Sequence, residues 1–341
     1  MKMLIPWGKA MGVLTLLAVI GFGLRLGGTQ NPQPVEENPR VPAVLKVCMG
    51  CTYGSIQAAI DAAQPGDTVE VHLPSYVFWP PIPMQPWWIE KVTISKPLTL
   101  EAKPFAIADI SLEVAVLSSG DPIFDVTAET GQVTIRGFVL MGGGVSWSGK
   151  ADLLLEHNRF ESFGRRWFPR IELQGSPGQA VLQNNEINEG GIEIVGAKVS
   201  LLSNRIKGGI RIVPDYSEDQ PSEVVIDHNS IEGNVIVGRG NYVRLEDNIL
   251  MEFLSPINGQ SAEIGLNLEG SEGRFRPSVI EVNRNVIIRY KAGVAIGSLI
   301  RDQCEGALPG ELELSGQDNV IEQNVQDLCP ADHPWPPGFR K

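Results

Sequence analysis

One short phrase, repeated along the middle of the chain, limits what this protein can fold into more than any other feature. An extended apolar run is followed by Asn, one further residue, and a bulky apolar residue. The copies read LLLEHNRF (153–160), AVLQNNEI (180–187), SLLSNRI (200–206), VVIDHNSI (224–231) and VRLEDNIL (243–250). Their asparagines are Asn158, Asn185, Asn204, Asn229 and Asn248, separated by 27, 19, 25 and 19 residues. Weaker copies lie at Gly137 (VTIRGFV), Asn285 (EVNRNVI) and Asn324 (IEQNVQ). A second phrase, Gly-apolar-x-apolar, alternates with the first: GIEI (191–194), GIRI (209–212), GLNL (265–268) and GVAI (293–296).

Short strands at such a period signal a solenoid. The unit is too short for a propeller blade, and it holds no long helical run, which excludes leucine-rich and βαβ repeats. A parallel β-helix of about eight to ten coils remains. One coil cannot bury its apolar face alone, whereas stacked coils share a continuous core. The recurrent Asn then sits at a bend, where its amide bonds to backbone and to the Asn one coil away.

The repeats, with SIQAAIDAAQPGDTVEVH (55–72) and KPLTLEAK (96–103), resemble the right-handed parallel β-helix superfamily of pectate lyases, polygalacturonases, pectin methylesterases and NosD-like periplasmic proteins. The resemblance covers roughly residues 45–328. It implies an all-β fold, a single right-handed parallel β-helix. It also implies an exported protein that binds or processes polysaccharide. The alternative it implies is a non-catalytic NosD-like accessory or envelope scaffold, with an envelope component as partner.

The 341 residues carry a formal charge of −12, with no basic patch, which argues against a nucleic-acid partner and for a monomer kept soluble by its charge. Lys2 and Lys9 precede an apolar run over residues 10–22. This predicts an extracytoplasmic protein, secreted or periplasmic, with residues 1–25 as a cleaved signal peptide or a retained anchor. Residues 26–44 read as a Pro/Gly-rich linker, and 329–341 as a Pro-rich tail able to plug the last coil with Trp335 and Phe339. In an exported chain the four cysteines are expected as disulfides. The simplest pairing is Cys48 with Cys51 and Cys304 with Cys329. Ser55 is placed to cap a short helix over residues 56–63 that closes the first coil.

Candidate chemistry falls in three groups. Glu189 and Glu232 follow their asparagines by a few residues, with Lys207 in the coil between them. Two coils apart is about 9–10 Å, near the upper limit for an inverting glycosidase pair. The same stack also reads as a surface charge ladder, as does Glu193 above Arg211. Arg165, Arg166, Trp167 and Arg170 form a basic-aromatic group able to hold a uronate carboxylate and stack a sugar face. Trp79, Trp87 and Trp88, in a Pro-rich stretch, offer either a sugar platform or a local core. The Gly-Asp-Asp, Gln-Asp-Thr and Asp-Pro-His phrases of the resembling enzymes are absent, and Gln317-Asp318-Asn319 falls out of register. No cofactor is expected, except Ca²⁺ if polyuronate is the substrate. No metal site is expected either. His157 and His228 are three coils apart, and strand alternation sends Asp227 and His228 to opposite faces.

Overall fold

The computed structural model describes residues 40–73, 87–107, 110–118, 122–164, 167–175, 177–215, 220–238, 240–252, 264–268, 277–290, 292–296, 299–300, 303–304, 312–324, 326–329, 331 and 335–339. The solenoid lies within the unit Pro42–Lys341. The apolar run at residues 10–22, Trp79, Arg165 and Arg166 lie outside the described residues.

Alternating apolar residues build one wall of the solenoid. Eleven parallel strands stack in chain order: Val44–Val47, Thr68–His72, Thr99–Lys103, Gln132–Arg136, Asp152–Glu156, Gln179–Gln183, Lys198–Leu202, Glu223–Asp227, Tyr242–Glu246, Ser278–Asn283 and Leu312–Gln317. An 18-stranded sheet supplies the other two walls, and all its pairings are parallel too. In most coils it contributes two short strands separated by a bend. In Glu186–Val195 and Arg205–Val213 the chain passes through the bend as one strand. Parallel strands joined by a crossover take the right-handed path, so the chain winds as a right-handed parallel β-helix. Eleven rungs in the first sheet exceed the eight to ten expected, because the earliest ones carry no Asn.

Register puts like residues on top of one another. Leu155, Leu182, Leu201, Ile226, Leu245 and Val282 form one fully buried stack. Phe160, Ile187, Ile206, Ile231, Leu250 and Ile287 form a second. Ile194, Ile212, Val237, Leu268 and Ile296 form a third. Burying one such side chain contributes about 1.5–3 kcal/mol before chain entropy is charged against it.

The asparagines line the corner between the first sheet and the second, buried to 2% exposure or less. From Asn185 onward, Oδ1 accepts from the backbone N–H and the Nδ2 of the preceding Asn: Asn158 to Asn185 (2.9 and 3.2 Å), Asn185 to Asn204 (2.9 and 3.0 Å), Asn204 to Asn229 (2.8 and 3.0 Å). The run continues through Asn229, Asn248 and Asn285 to Asn319. Asn319, not Asn324, is therefore the last rung, and Gln317-Asp318-Asn319 is in register after all. Asn324 instead accepts from the Tyr290 N–H at 2.8 Å. The residue before each ladder Asn takes a left-handed backbone, as at His157, Asn184, Ser203, His228, Asp247, Arg284 and Asp318. Gly137 occupies that position in its coil, and Phe138 fills the ladder place, its N–H bonded to Asn158 Oδ1.

Both ends are closed. The helix Ile56–Ala62 buries Ile56, Ala59 and Ile60 in the first coil, with Ala63 as its C-cap. Ser55 Oγ accepts from the Ala58 N–H, and the Glu90 carboxylate accepts from the Ile56 and Gln57 N–H groups. At the other end Trp335 and Phe339 are buried with ring centres 5.7 Å apart, as the plug reading expected. Asn319 Nδ2 also donates to the Gly338 carbonyl. Cys48 and Cys51 are disulfide-bonded. Cys329 is disulfide-bonded as well, and the side chain of its expected partner, Cys304, is not among those described.

Tyr290 is buried in the same core, and its hydroxyl donates to the Gly233 carbonyl. Burial pushes its pKa up, so the phenol stays neutral and serves as a donor. Tyr290→Phe leaves that carbonyl without its partner and is expected to lower stability by about 1–3 kcal/mol, measured by chemical denaturation.

Candidate functional site

The two uninterrupted strands owe their continuity to glycine. Gly190, Gly208 and Gly233 stack one per coil at the bend of the larger sheet. A Cβ on Gly208 would lie 1.6 Å from the Gly190 carbonyl oxygen, and one on Gly233 would lie 1.8 Å from that of Gly208. With Gly191 and Gly209 beside them, the wall here is bare backbone. The result is an open lateral groove of about 540 Å³, lined among others by Phe168, Arg170, Glu189, Glu193, Lys207 and Arg211.

One side of the groove carries an alternating ladder. Arg170 is ion-paired with Glu193, and its Nε lies 3.1 Å from Glu172. Glu193 in turn lies 3.8 Å from Arg211, the cross-coil pair expected from sequence. Glu172 thus neutralises Arg170 as its proximity suggests, while Glu161 pairs with Arg159 at 2.9 Å.

The other side carries Glu189 and Lys207. The register shifts between Ile187 and Gly190, so that Asn188 and Glu189 together face Lys207. Glu189 sits on this bulge with φ 55°, and Ser162 Oγ donates to its Oε2 at 2.9 Å. Lys207 pairs in register with Glu232, but Glu232 receives Arg205 at 3.3 Å instead. Among the described residues Lys207 makes no ion pair, and Glu232 does not line the groove. Of the expected stack, then, Glu189 and Lys207 share a site and Glu232 lies outside it. The bulge sets Asn188 and Glu189 together against Lys207, whereas Glu232 stays in plain register and receives Arg205.

One exposed aromatic side chain, Phe168, lines the groove, and two more, Phe163 and Trp167, lie in the hairpin just before it in the chain. Phe163, Trp167 and Phe168 are 37%, 39% and 43% exposed. The Phe163 N–H donates to the Trp167 carbonyl at 2.9 Å, closing a small hairpin. That hairpin rests on Gly142, whose Cβ would meet Phe163 Cβ at 2.9 Å and Trp167 Cβ at 3.3 Å. Sequence reading found Trp167 and Arg170 and missed Phe163 and Phe168. Their signal was apolar side chains in a loop between two strong repeats, where no core position exists. The tryptophans of the earlier loop behave differently. Trp88 is 8% exposed and belongs to the core, which rules it out as a platform. Trp87 opens the strand Trp87–Ile89, and its side chain is not among those described.

A second cluster lies on the ledge beside the Asn ladder. His228 Nδ1 is 2.6 Å from Asp227 Oδ1, contrary to the expectation that alternation separates them. His228 has φ 56°, and this left-handed residue breaks the alternation. Asp247, on the next coil, joins them: one ligand atom from each of the three lies within 4.8 Å of the others. Arg284 clasps Asp247 with both Nε and Nη2, at 2.9 and 2.8 Å. This hydrogen bonding holds the Asp247 carboxyl below its usual pKa.

The chain is similar in structure to an alginate lyase from Paenibacillus sp., with 11% sequence identity over 82% of this chain and 99% of that one and a TM-score of 0.46. No protein-family model matches the chain, and no curated protein matches it by sequence. Fold and site together define a parallel β-helix protein with a glycine-floored lateral groove.

Proposed function

We propose that this is an extracytoplasmic polysaccharide-binding protein whose ligand lies in the lateral groove. The observation that carries the reading is an exposed aromatic side chain, Phe168, at the edge of a glycine floor. Flat aromatic faces stack on the apolar faces of sugar rings, while their edges stay wet. A bare backbone floor lets a polymer approach closely along several coils. Arg170, Glu193 and Arg211 present a row of fixed donors and acceptors suited to hydroxyl groups. Lys207 adds a positive charge available to an acidic sugar, and the groove holds three cations to two carboxylates in a protein of net charge −12. Glu189 is the one carboxylate placed to act as an acid or base on a bound chain, and Ser162 orients it. Ca²⁺ enters this picture only if the ligand is a polyuronate.

Purified protein titrated with pectin, polygalacturonate and alginate, with and without Ca²⁺, tests the reading. Binding by at least one polysaccharide is expected, with Phe168→Ala weakening it by about tenfold, the loss of one stacked ring at about 1–2 kcal/mol. Absence of binding to every glycan, or a Phe168→Ala variant that binds as well as the parent, sinks it. If product is formed, Glu189→Gln is expected to reduce the rate about 10²-fold or more without changing affinity.

A further inference from the structure

We propose that Asp227, His228 and Asp247 form a binding site for one divalent transition-metal ion of the zinc type. The site lies on the ledge of the first sheet and is independent of the groove and of any glycan. The imidazole distinguishes this cluster from a patch of acidic side chains. One nitrogen and two carboxylate oxygens are a donor set that zinc accepts and that calcium, which favours oxygen alone, does not. Their atoms already lie within 4.8 Å of one another. Zinc bonds of about 2.0–2.2 Å set ligands roughly 3.3–3.5 Å apart, so a modest rotation of exposed side chains closes the site.

The fold brings His228 and Asp247 together across coils, and sequence adjacency adds Asp227. His228 and Asp247 hold the same left-handed position in successive coils, so both side chains leave the ledge in the same direction. Asp227 precedes His228 and already bonds to its Nδ1. Other charges face the cluster. Arg284 holds Asp247, and Glu246 receives Arg244 at 3.4 Å and Arg284 at 3.8 Å. The guanidinium keeps Asp247 ionised, and a carboxylate has lone pairs enough to accept both it and a metal. Its positive charge nonetheless opposes a second cation. Removing Arg284 is therefore expected to tighten metal binding, which a site formed by other residues would not show.

Zinc chloride titrated calorimetrically into the full-length, disulfide-intact protein tests the proposal. One saturable site per chain is expected. His228→Asn, which keeps a residue that tolerates the left-handed backbone, is expected to weaken it at least ~10-fold with an unchanged melting temperature. Arg284→Gln is expected to raise the affinity, and His157→Asn, three coils away, to leave it unchanged. The proposal is overturned if the parent shows no saturable zinc binding, if His228→Asn binds as the parent does, or if Arg284→Gln lowers the affinity.

Discussion

Asn204→Ala is expected to destabilise the β-helix by roughly 2–6 kcal/mol, one of the largest effects available to a single polar residue here. Asn204 Oδ1 accepts from the backbone N–H of Asn185 at 2.9 Å and from its Nδ2 at 3.0 Å. Its own Nδ2 donates to the Leu182 carbonyl at 2.8 Å and to Asn229 Oδ1 at 3.0 Å. Alanine removes all four bonds at a site only 2% exposed. The Asn185 N–H then has no acceptor, and no water reaches it. A buried group left unpaired costs about 1–3 kcal/mol, and both neighbouring coils lose a partner. Ser203→Ala, one position earlier on the exposed ledge, supplies the control and is expected to change stability by less than about 1 kcal/mol. Urea denaturation followed by circular dichroism measures both. Equal midpoints for the two variants would show that the ladder contributes nothing beyond packing.

Gly208→Ala is expected to be at least as damaging, at about 4 kcal/mol or more, and to abolish the groove. The new Cβ would sit 1.6 Å from the Gly190 oxygen and 2.8 Å from its carbonyl carbon. Both are backbone atoms of a paired strand, so neither can swing aside as a side-chain tip does. Gly208 also has φ 147°, which a Cβ disfavours. Overpacking against mobile side chains costs about 1–3 kcal/mol, and a rigid backbone neighbour raises that figure. Loss of stability should come with loss of polysaccharide binding, because the bend that exposes the floor must open. Gly164→Ala tests whether glycine itself matters. Nothing lies within 4 Å of its Cβ position, so only the cost of its φ of 68° remains. A Gly208→Ala variant as stable as Gly164→Ala would contradict the close-stacking account.

Much of the scaffold is legible because a solenoid repeats its own instructions. Asn185 and Asn204 look alike in sequence for the same reason that they touch in space: each coil must satisfy the next. The helix capped by Ser55 and the plugging of the last coil by Trp335 and Phe339 are legible too, since an apolar core must end somewhere. Sequence and structure part where one coil departs from the repeat by a single residue. Asn324 has the look of the last rung, but Asn319 is two residues beyond the strand Leu312–Gln317 and takes the place. Glu189 has the look of a regular stack member, but the extra residue at the bulge changes what it faces. Strict alternation would part Asp227 from His228, and one left-handed residue joins them.

Sequence alone determined that the chain winds, which faces point inward, and the buried ladder from Asn158 to Asn285. Those follow from local apolar patterning and from the hydrogen-bonding needs of an amide at a corner. Tertiary structure alone decided which surface residues become neighbours. Lys207 near Glu189 depends on a single-residue bulge, Asp227 beside His228 on one left-handed residue, and His228 near Asp247 on coil register. Such shifts cost little in the core, so the apolar pattern does not record them, yet each moves an exposed side chain to a new set of partners.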